Sequence, residues 1–115
     1  MTQHFLTPKN PKTADVVMIG HDRMLSTFFA QVYKETGDDP NFVLWEGCAR
    51  GQLPYADQVI DLVRDHAHIP DELWEALDDD RACAPFRTPE EANAVTRWSA
   101  TGRVEPEHQA DSANA

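Results

Sequence analysis

Few residues in this chain have the types and spacing that chemistry demands. Cys48 stands beside glycines in Trp-Glu-Gly-Cys-Ala-Arg-Gly, and His21 next to Asp22 is a pair of the kind that activates a thiolate. Nothing in the spacing brings that pair to Cys48, and a lone thiol is far more often structural or incidental than nucleophilic. His66 and His68 look like metal ligands, but side chains at i and i+2 diverge on a helix and converge only in a strand. Solvated histidines at a helix end are the simpler account. There is no P-loop, Gly-x-Gly-x-x-Gly, His-Glu-x-x-His or Cys-x-x-Cys, so no catalytic residue, cofactor or metal is expected. A thiol enzyme using Cys48 stands as the outermost alternative.

A second constellation is acidic. Asp57, Asp61 and Asp65 recur every four residues, which on a helix sets their Cβ atoms about 6 Å apart along one stripe. Asp78, Asp79 and Asp80 follow one another at the end of the next helix, where negative charge opposes the dipole at about 0.3–1 kcal/mol each. Residues 70–82 hold six acids against Arg81 alone, half of the net charge of −10 that twenty acids and ten bases give the 115-residue chain. The plain reading is a solvated face relieved by Arg64 and Arg81. The sharper one is a surface that competes for the Lys and Arg side chains of a basic partner such as a DNA-binding regulator. A nucleic-acid mimic, in which charge alone carries recognition, is the alternative of the same kind.

The charge balance disfavours direct binding to nucleic acid or to anionic membrane. No apolar run approaches the roughly 20 residues of a transmembrane helix, and residues 1–12 lack the apolar stretch of a signal peptide. With only Cys48 and Cys83, a cytoplasmic protein with reduced thiols is expected.

The elements that position these groups follow from periodicity. Val16-Val17-Met18-Ile19, ending at Gly20, reads as a strand, and Asn41-Phe42-Val43-Leu44-Trp45, ending at Gly47, as another. Residues 25–35 satisfy two patterns. Leu25, Phe28, Phe29, Val32 and Tyr33 share a helical face, yet the Thr, Phe, Val and Tyr content and the flanking turn signals favour a strand. A strand is expected, because two short strands without a third make a poor sheet. After Pro54, Ala56, Val59, Ile60, Val63 and Ala67 repeat at helical spacing; Pro70 opens a second helix with Leu73, Ala76 and Leu77 as its stripe. A third, short helix begins at Thr88-Pro89-Glu90-Glu91, with Thr88 as cap and Glu91 reaching back.

The expectation is an α+β fold: a three-stranded antiparallel meander followed by two helices, with a third short C-terminal helix. Residues 1–14 read as a flexible lead-in, 15–82 as the folded domain, 83–99 as a docking helix, and 100–115 as a disordered tail too poor in large apolar residues to order. Alternation sorts Phe28, Ala30 and Val32 against Leu25, Phe29 and Tyr33, Phe42 and Leu44 against Val43 and Trp45, and Val16 and Met18 against Val17 and Ile19. Both sheet faces are apolar, whereas a sheet covered on one side should alternate apolar with polar. Two helices cover one face. The other needs the helix of residues 88–99 with Trp98, a second copy of the chain, or a different protein. Binding therefore outranks chemistry. The partner-binding candidates are Leu25, Phe29, Tyr33, Trp45 and Trp74, with Asp57, Asp61, Asp65, Asp78, Asp79 and Asp80; a homodimer is a further outcome.

Gly20, Asp22, Leu25, Thr27-Phe28-Phe29, Gln31-Val32, Leu44-Trp45 and Gly47, followed by two helices ending in Leu-Asp-Asp-Asp-Arg-Ala, resemble a pattern in small regulatory proteins carried on bacterial plasmids and integrative elements. The resemblance spans residues 15–82 and contains no catalytic signature. It implies a small regulator of element transfer, an antiactivator that binds a transcriptional activator. The extension after Cys83 departs from that pattern.

Overall fold

The three expected strands form, in the expected order and antiparallel, but they belong to a larger sheet. A computed structural model describes residues 1–35 and 41–103. In chain order these are β1 (Gln3–Leu6), β2 (Val16–Asp22), β3 (Thr27–Lys34), β4 (Asn41–Glu46), α1 (Ala56–Val63), α2 (Leu73–Cys83), a single 3-10 turn (Ala84–Phe86), α3 (Pro89–Ala92) and β5 (Val95–Arg97). The fold is α+β, with a five-stranded sheet in the order β4-β3-β2-β1-β5. All neighbours are antiparallel except β1 and β5, which run parallel, so the sheet is mixed and the three-stranded meander is only its middle and one edge.

The two unexpected strands lie in segments read as something else. Gln3–Leu6, taken as lead-in, pairs in register with β2 (His4 with Ile19, Leu6 with Val17) and with β5 on its other side. Four residues are too few for an alternation pattern to register, and the Thr-Pro-Lys-Asn-Pro-Lys that follows hides them. That polar stretch is itself held: the Lys9 N–H donates to the His66 carbonyl at 2.9 Å, and the His68 N–H to the Thr7 carbonyl at 3.0 Å. The segment read as a docking helix divides into the 3-10 turn, the one-turn α3 and β5. The Thr88 cap and the reciprocal Glu91 bond do form, at 3.2 and 3.0 Å, and the Thr88 bonds hold the Glu91 carboxyl below its ordinary range. The turn expected at residues 36–41 lies, but for Asn41, outside the described residues, as does the expected tail beyond residue 103.

Residues 27–34 are strand rather than helix because both edges of β3 are occupied, by β2 and β4. After β4 the chain stands at one edge of the sheet and must return to the far edge to place β5 beside β1. A parallel neighbour requires such a crossover, and here α1 and α2 make it across one face. Leu6, Val17, Ile19, Phe28, Ala30 and Val32 of that face form one core with Val59, Ile60, Val63, Leu73 and Leu77 of the helices. Burying each large aliphatic or Phe side chain there contributes about 1.5–3 kcal/mol. Trp98, expected to close the opposite face, belongs to this same core.

Gly20 is dictated by close approach. A Cβ there would collide with the Thr2 carbonyl and lie 2.9 Å from the Phe29 ring, its cross-strand partner. Gly51, by contrast, has φ 65° but open space around it. Gly20→Ala should lower the unfolding free energy by about 3 kcal/mol, and Gly51→Ala by about 1 kcal/mol from backbone strain alone. Urea unfolding of the two variants checks the order, and equal losses would contradict it.

Candidate functional site: an aromatic face opposite the helices

The sheet face turned away from the helices carries Phe5 from β1, Met18 from β2, Phe29, Gln31 and Tyr33 from β3, and Phe42 and Trp45 from β4. Strict alternation separates Phe42 from Trp45. The register shifts between Val32 and Tyr33, however: Val32 pairs with Leu44 and Tyr33 with Phe42, which leaves Val43 as the extra residue of a bulge. Phe42 therefore turns to the same face as Trp45, a correction to the alternating assignment. Tyr33 and Phe42 have ring centroids 4.9 Å apart, and Phe42 and Trp45 stack at 4.7 Å. These distances suit offset or tilted aromatic pairs, worth about 0.5–1.5 kcal/mol each beyond burial.

Exposure on this face concentrates at the β4 edge. Phe42 is 41%, Val43 44% and Trp45 54% exposed, while Met18 and Phe29 are buried although nothing of the helical layer lies over them. Phe29 fills the space over Gly20 and lies against Gly47, whose φ of 92° lets the chain turn away after β4. At the inner border the Arg97 guanidinium lies 4.8 Å from the centre of the Phe5 ring. The margin beside Tyr33 is negative: burial, then the charges of Glu35 and Asp15, raise the Tyr33 phenol above its ordinary value. Lys34 offsets that margin at 3.7 Å from Asp15.

The eleven candidate binding residues do not form one surface. Tyr33 and Trp45 share the aromatic face; Phe29 shares it but is buried, and Leu25 lies in the β2–β3 turn, half-buried. The acids belong to the opposite layer and are divided among separate tasks. Asp57 accepts the Trp74 indole N–H at 2.8 Å, joining α1 to α2, and Asp61 pairs with Arg64 at 3.0 Å. Helix α1 ends at Val63, so Asp65 falls beyond it and the stripe of three is broken. Asp78 and Asp79 are exposed, and Asp80 is buried.

Asp80 anchors a buried polar chain that the candidate list did not anticipate. The Trp98 indole N–H donates to His4 Nδ1 at 3.0 Å, and His4 Nε2 lies 2.7 Å from Asp80 Oδ2. An indole is only a donor, so His4 Nδ1 carries no proton and the Nε2–H donates to the carboxylate. Arg87 Nη2 approaches Asp80 Oδ1 at 3.6 Å, and the Arg87 Nε is buried without a hydrogen-bond partner among the described residues. The His4 ring is thus held through both of its nitrogens, by Trp98 on one side and Asp80 on the other, and neither nitrogen is free. Asp80 was legible in one respect: it falls at i+7 from Leu73 and i+3 from Leu77, on the core stripe of α2.

The chemical candidates remain apart. Cys48 and Cys83 are free and exposed, and neither thiol makes a hydrogen bond among the described residues. His21 and Asp22 are consecutive on β2 and point to opposite sides: His21 is buried edge-on to Phe28 at 5.0 Å, while Asp22 accepts the Met24 and Leu25 N–H groups in the turn. Among the described residues no three His, Cys, Asp or Glu side chains gather as a metal site, and no helix is long and apolar enough to cross a membrane. Comparisons with known protein families, with curated proteins and with solved structures find no match.

Two measurements test this polar interior. Trp98→Phe keeps an aromatic side chain, though a smaller one, but leaves His4 Nδ1 buried without a donor, and should lower the unfolding free energy by about 1–3 kcal/mol. Burial lowers the His21 pKa below 6.5, opposed by Asp80 and Asp22 and reinforced by Arg81 and the N-terminal ammonium. The unfolded chain therefore takes up that proton first, and stability falls as pH drops below 6.5. His21→Gln removes this component, so the stability advantage of the parent over the variant should shrink between about pH 7 and pH 5. A constant difference across that range would contradict the assignment.

Proposed function

We propose that this chain is a small acidic regulator without enzymatic activity of its own, which binds another protein through the Tyr33–Phe42–Trp45 patch. The observation that carries this reading is the bulge at Val43. It turns Phe42 to the same side as Trp45, so that two large aromatic side chains stand half-exposed and stacked on a face crossed by no described segment. Aromatic side chains at the centre of a contact supply most of the binding energy of typical interfaces. The negative margin formed by Asp15 and Glu35 selects a partner with Lys or Arg beside an apolar surface, since a cation also gains from an aromatic face. A basic DNA-binding regulator has that chemistry, and masking it makes the chain an antiactivator, the role that the resemblance of residues 15–82 implies.

The mimic reading is weaker. Asp57 and Asp61 are engaged with Trp74 and Arg64, Asp80 is buried, and Asp65 falls beyond the end of α1, so the two aspartate runs do not form one continuous charged surface.

The immobilised chain, exposed to the DNA-binding regulators of its host, tests the proposal. Trp45→Ala should weaken capture of the partner by tenfold or more, corresponding to a hot-spot loss of about 2 kcal/mol, with an unchanged circular dichroism spectrum. Asp61→Asn and Asp65→Asn, on the opposite layer, should bind as the parent does. Full binding by a folded Trp45→Ala, or loss confined to the aspartate variants, would overturn it. Light scattering identifies the remaining occupant of the face, a second copy of the chain. Phe29 is unsuitable for this test, being only 6% exposed, because its replacement would report on folding.

A further inference from the structure

A cleft of about 590 Å³ opens beside the helical layer, lined by His21, Arg23, Met24, Ser26, Pro54, Arg81 and Ala84. It lies where the β2–β3 turn meets α2, the 3-10 turn and the loop before α1, and it shares no lining residue with the aromatic patch. Its charge is unusual for this chain. Twice as many acids as bases are present overall, yet the charged residues lining this cleft are two arginines.

Both arginines sit beside acids in sequence and pair with none of the described ones. Arg81 follows Asp78, Asp79 and Asp80, but its Nη1 donates to the Pro54 carbonyl at 3.3 Å and its guanidinium lies 5.5 Å from the centre of the Tyr55 ring. Arg23 follows Asp22, but Asp22 is occupied by the Met24 and Leu25 N–H groups, and Arg23 Nη1 donates to the Arg87 carbonyl at 3.4 Å. Neither arginine is within ion-pairing distance of a carboxylate among the described residues. Each guanidinium has five donors, so most of them remain unused. Asp80, the nearest buried carboxylate, is committed to His4 and Arg87. Ser26 adds a hydroxyl from a left-handed backbone position with φ 50°, a conformation that non-glycine residues rarely hold.

The rest of the cleft is apolar. Met24 is 78% exposed along it, Pro54 and Ala84 complete the lining, and Tyr55 follows Pro54 directly in the chain. A volume of this size suits a small organic molecule, and arginine forks match the oxygens of a phosphate group.

We propose that this cleft binds a small organic phosphate, its phosphate group held by Arg23 and Arg81 with the Ser26 hydroxyl, and its apolar part resting on Met24 and Pro54. The site is separate from the proposed protein-binding face, so either can fail without the other.

Phenyl phosphate is a suitable probe, with inorganic phosphate and phenol as its two halves, titrated by calorimetry into the full chain at constant ionic strength. Saturable binding is expected, tighter for phenyl phosphate than for either half. Arg23→Gln and Arg81→Gln should each weaken it about tenfold, as the loss of one charge-assisted contact predicts. Both variants should keep the parent's circular dichroism spectrum, and Trp45→Ala should bind the probe as the parent does. Undiminished binding by the folded double variant, or no saturable binding of phenyl phosphate, would overturn the proposal. Inorganic phosphate binding as tightly as phenyl phosphate would refute the apolar half of the site.

Discussion

A carboxylate taken out of water needs strong hydrogen bonds, and the arrangement of this domain depends on how Asp80 finds them. One partner, His4, comes from the first strand, and the other, Arg87, from the segment just after α2. The His4 ring can donate to Asp80 in a fixed orientation only because Trp98 donates to its other nitrogen. One buried chain of bonds therefore links β1 in the sheet, α2 across it, and Trp98 after β5, which comes back beside β1. Removing any member strands a polar group in the core, where an unsatisfied partner costs more than the bond itself contributes. The short strands β1 and β5, which have little intrinsic tendency to persist, are held by this requirement as much as by their ladders.

The same return path leaves the molecule two-faced. Because the helices cross from the β4 edge to the β1 edge over one face, that face becomes the core and the other receives no helical layer from the described residues. The chain manages the uncovered face partly from within. Phe29 lies over Gly20, Arg97 over Phe5, and the aromatic rings of β3 and β4 lean on one another. What stays open is the β4 edge, and it is open because a single extra residue in the ladder brings a second ring to the outside.

The charge of −10 is not one feature but several. Some acids do internal work: Asp57 ties Trp74, Asp22 holds the β2–β3 turn, and Asp80 joins the buried chain. Asp15 and Glu35 give the aromatic patch a negative margin. The engagement of Asp22 and Asp80 elsewhere is also what leaves Arg23 and Arg81 without carboxylate partners among the described residues, so the lining of that cleft is basic in an acidic protein.

Much of this was legible from residue types and spacing. The three consecutive strands, two amphipathic helices, the Thr88 cap and the surplus of apolar sheet surface all follow from periods of 2 and 3.6, which need only local sequence to be read. Even the i+7 place of Asp80 was visible. Tertiary structure alone decided the rest. Gln3–Leu6 and Val95–Arg97 are too short to declare themselves, and their identity as strands exists only through partners more than ten residues away. A bulge changes the face of Phe42 without any local signature, because it is a mismatch between two strands and not a property of either. Whether an acid is surface charge or buried anchor is likewise settled by what packs against it. Periodicity determines which side of an element is apolar; only the path of the chain determines which of those sides is covered.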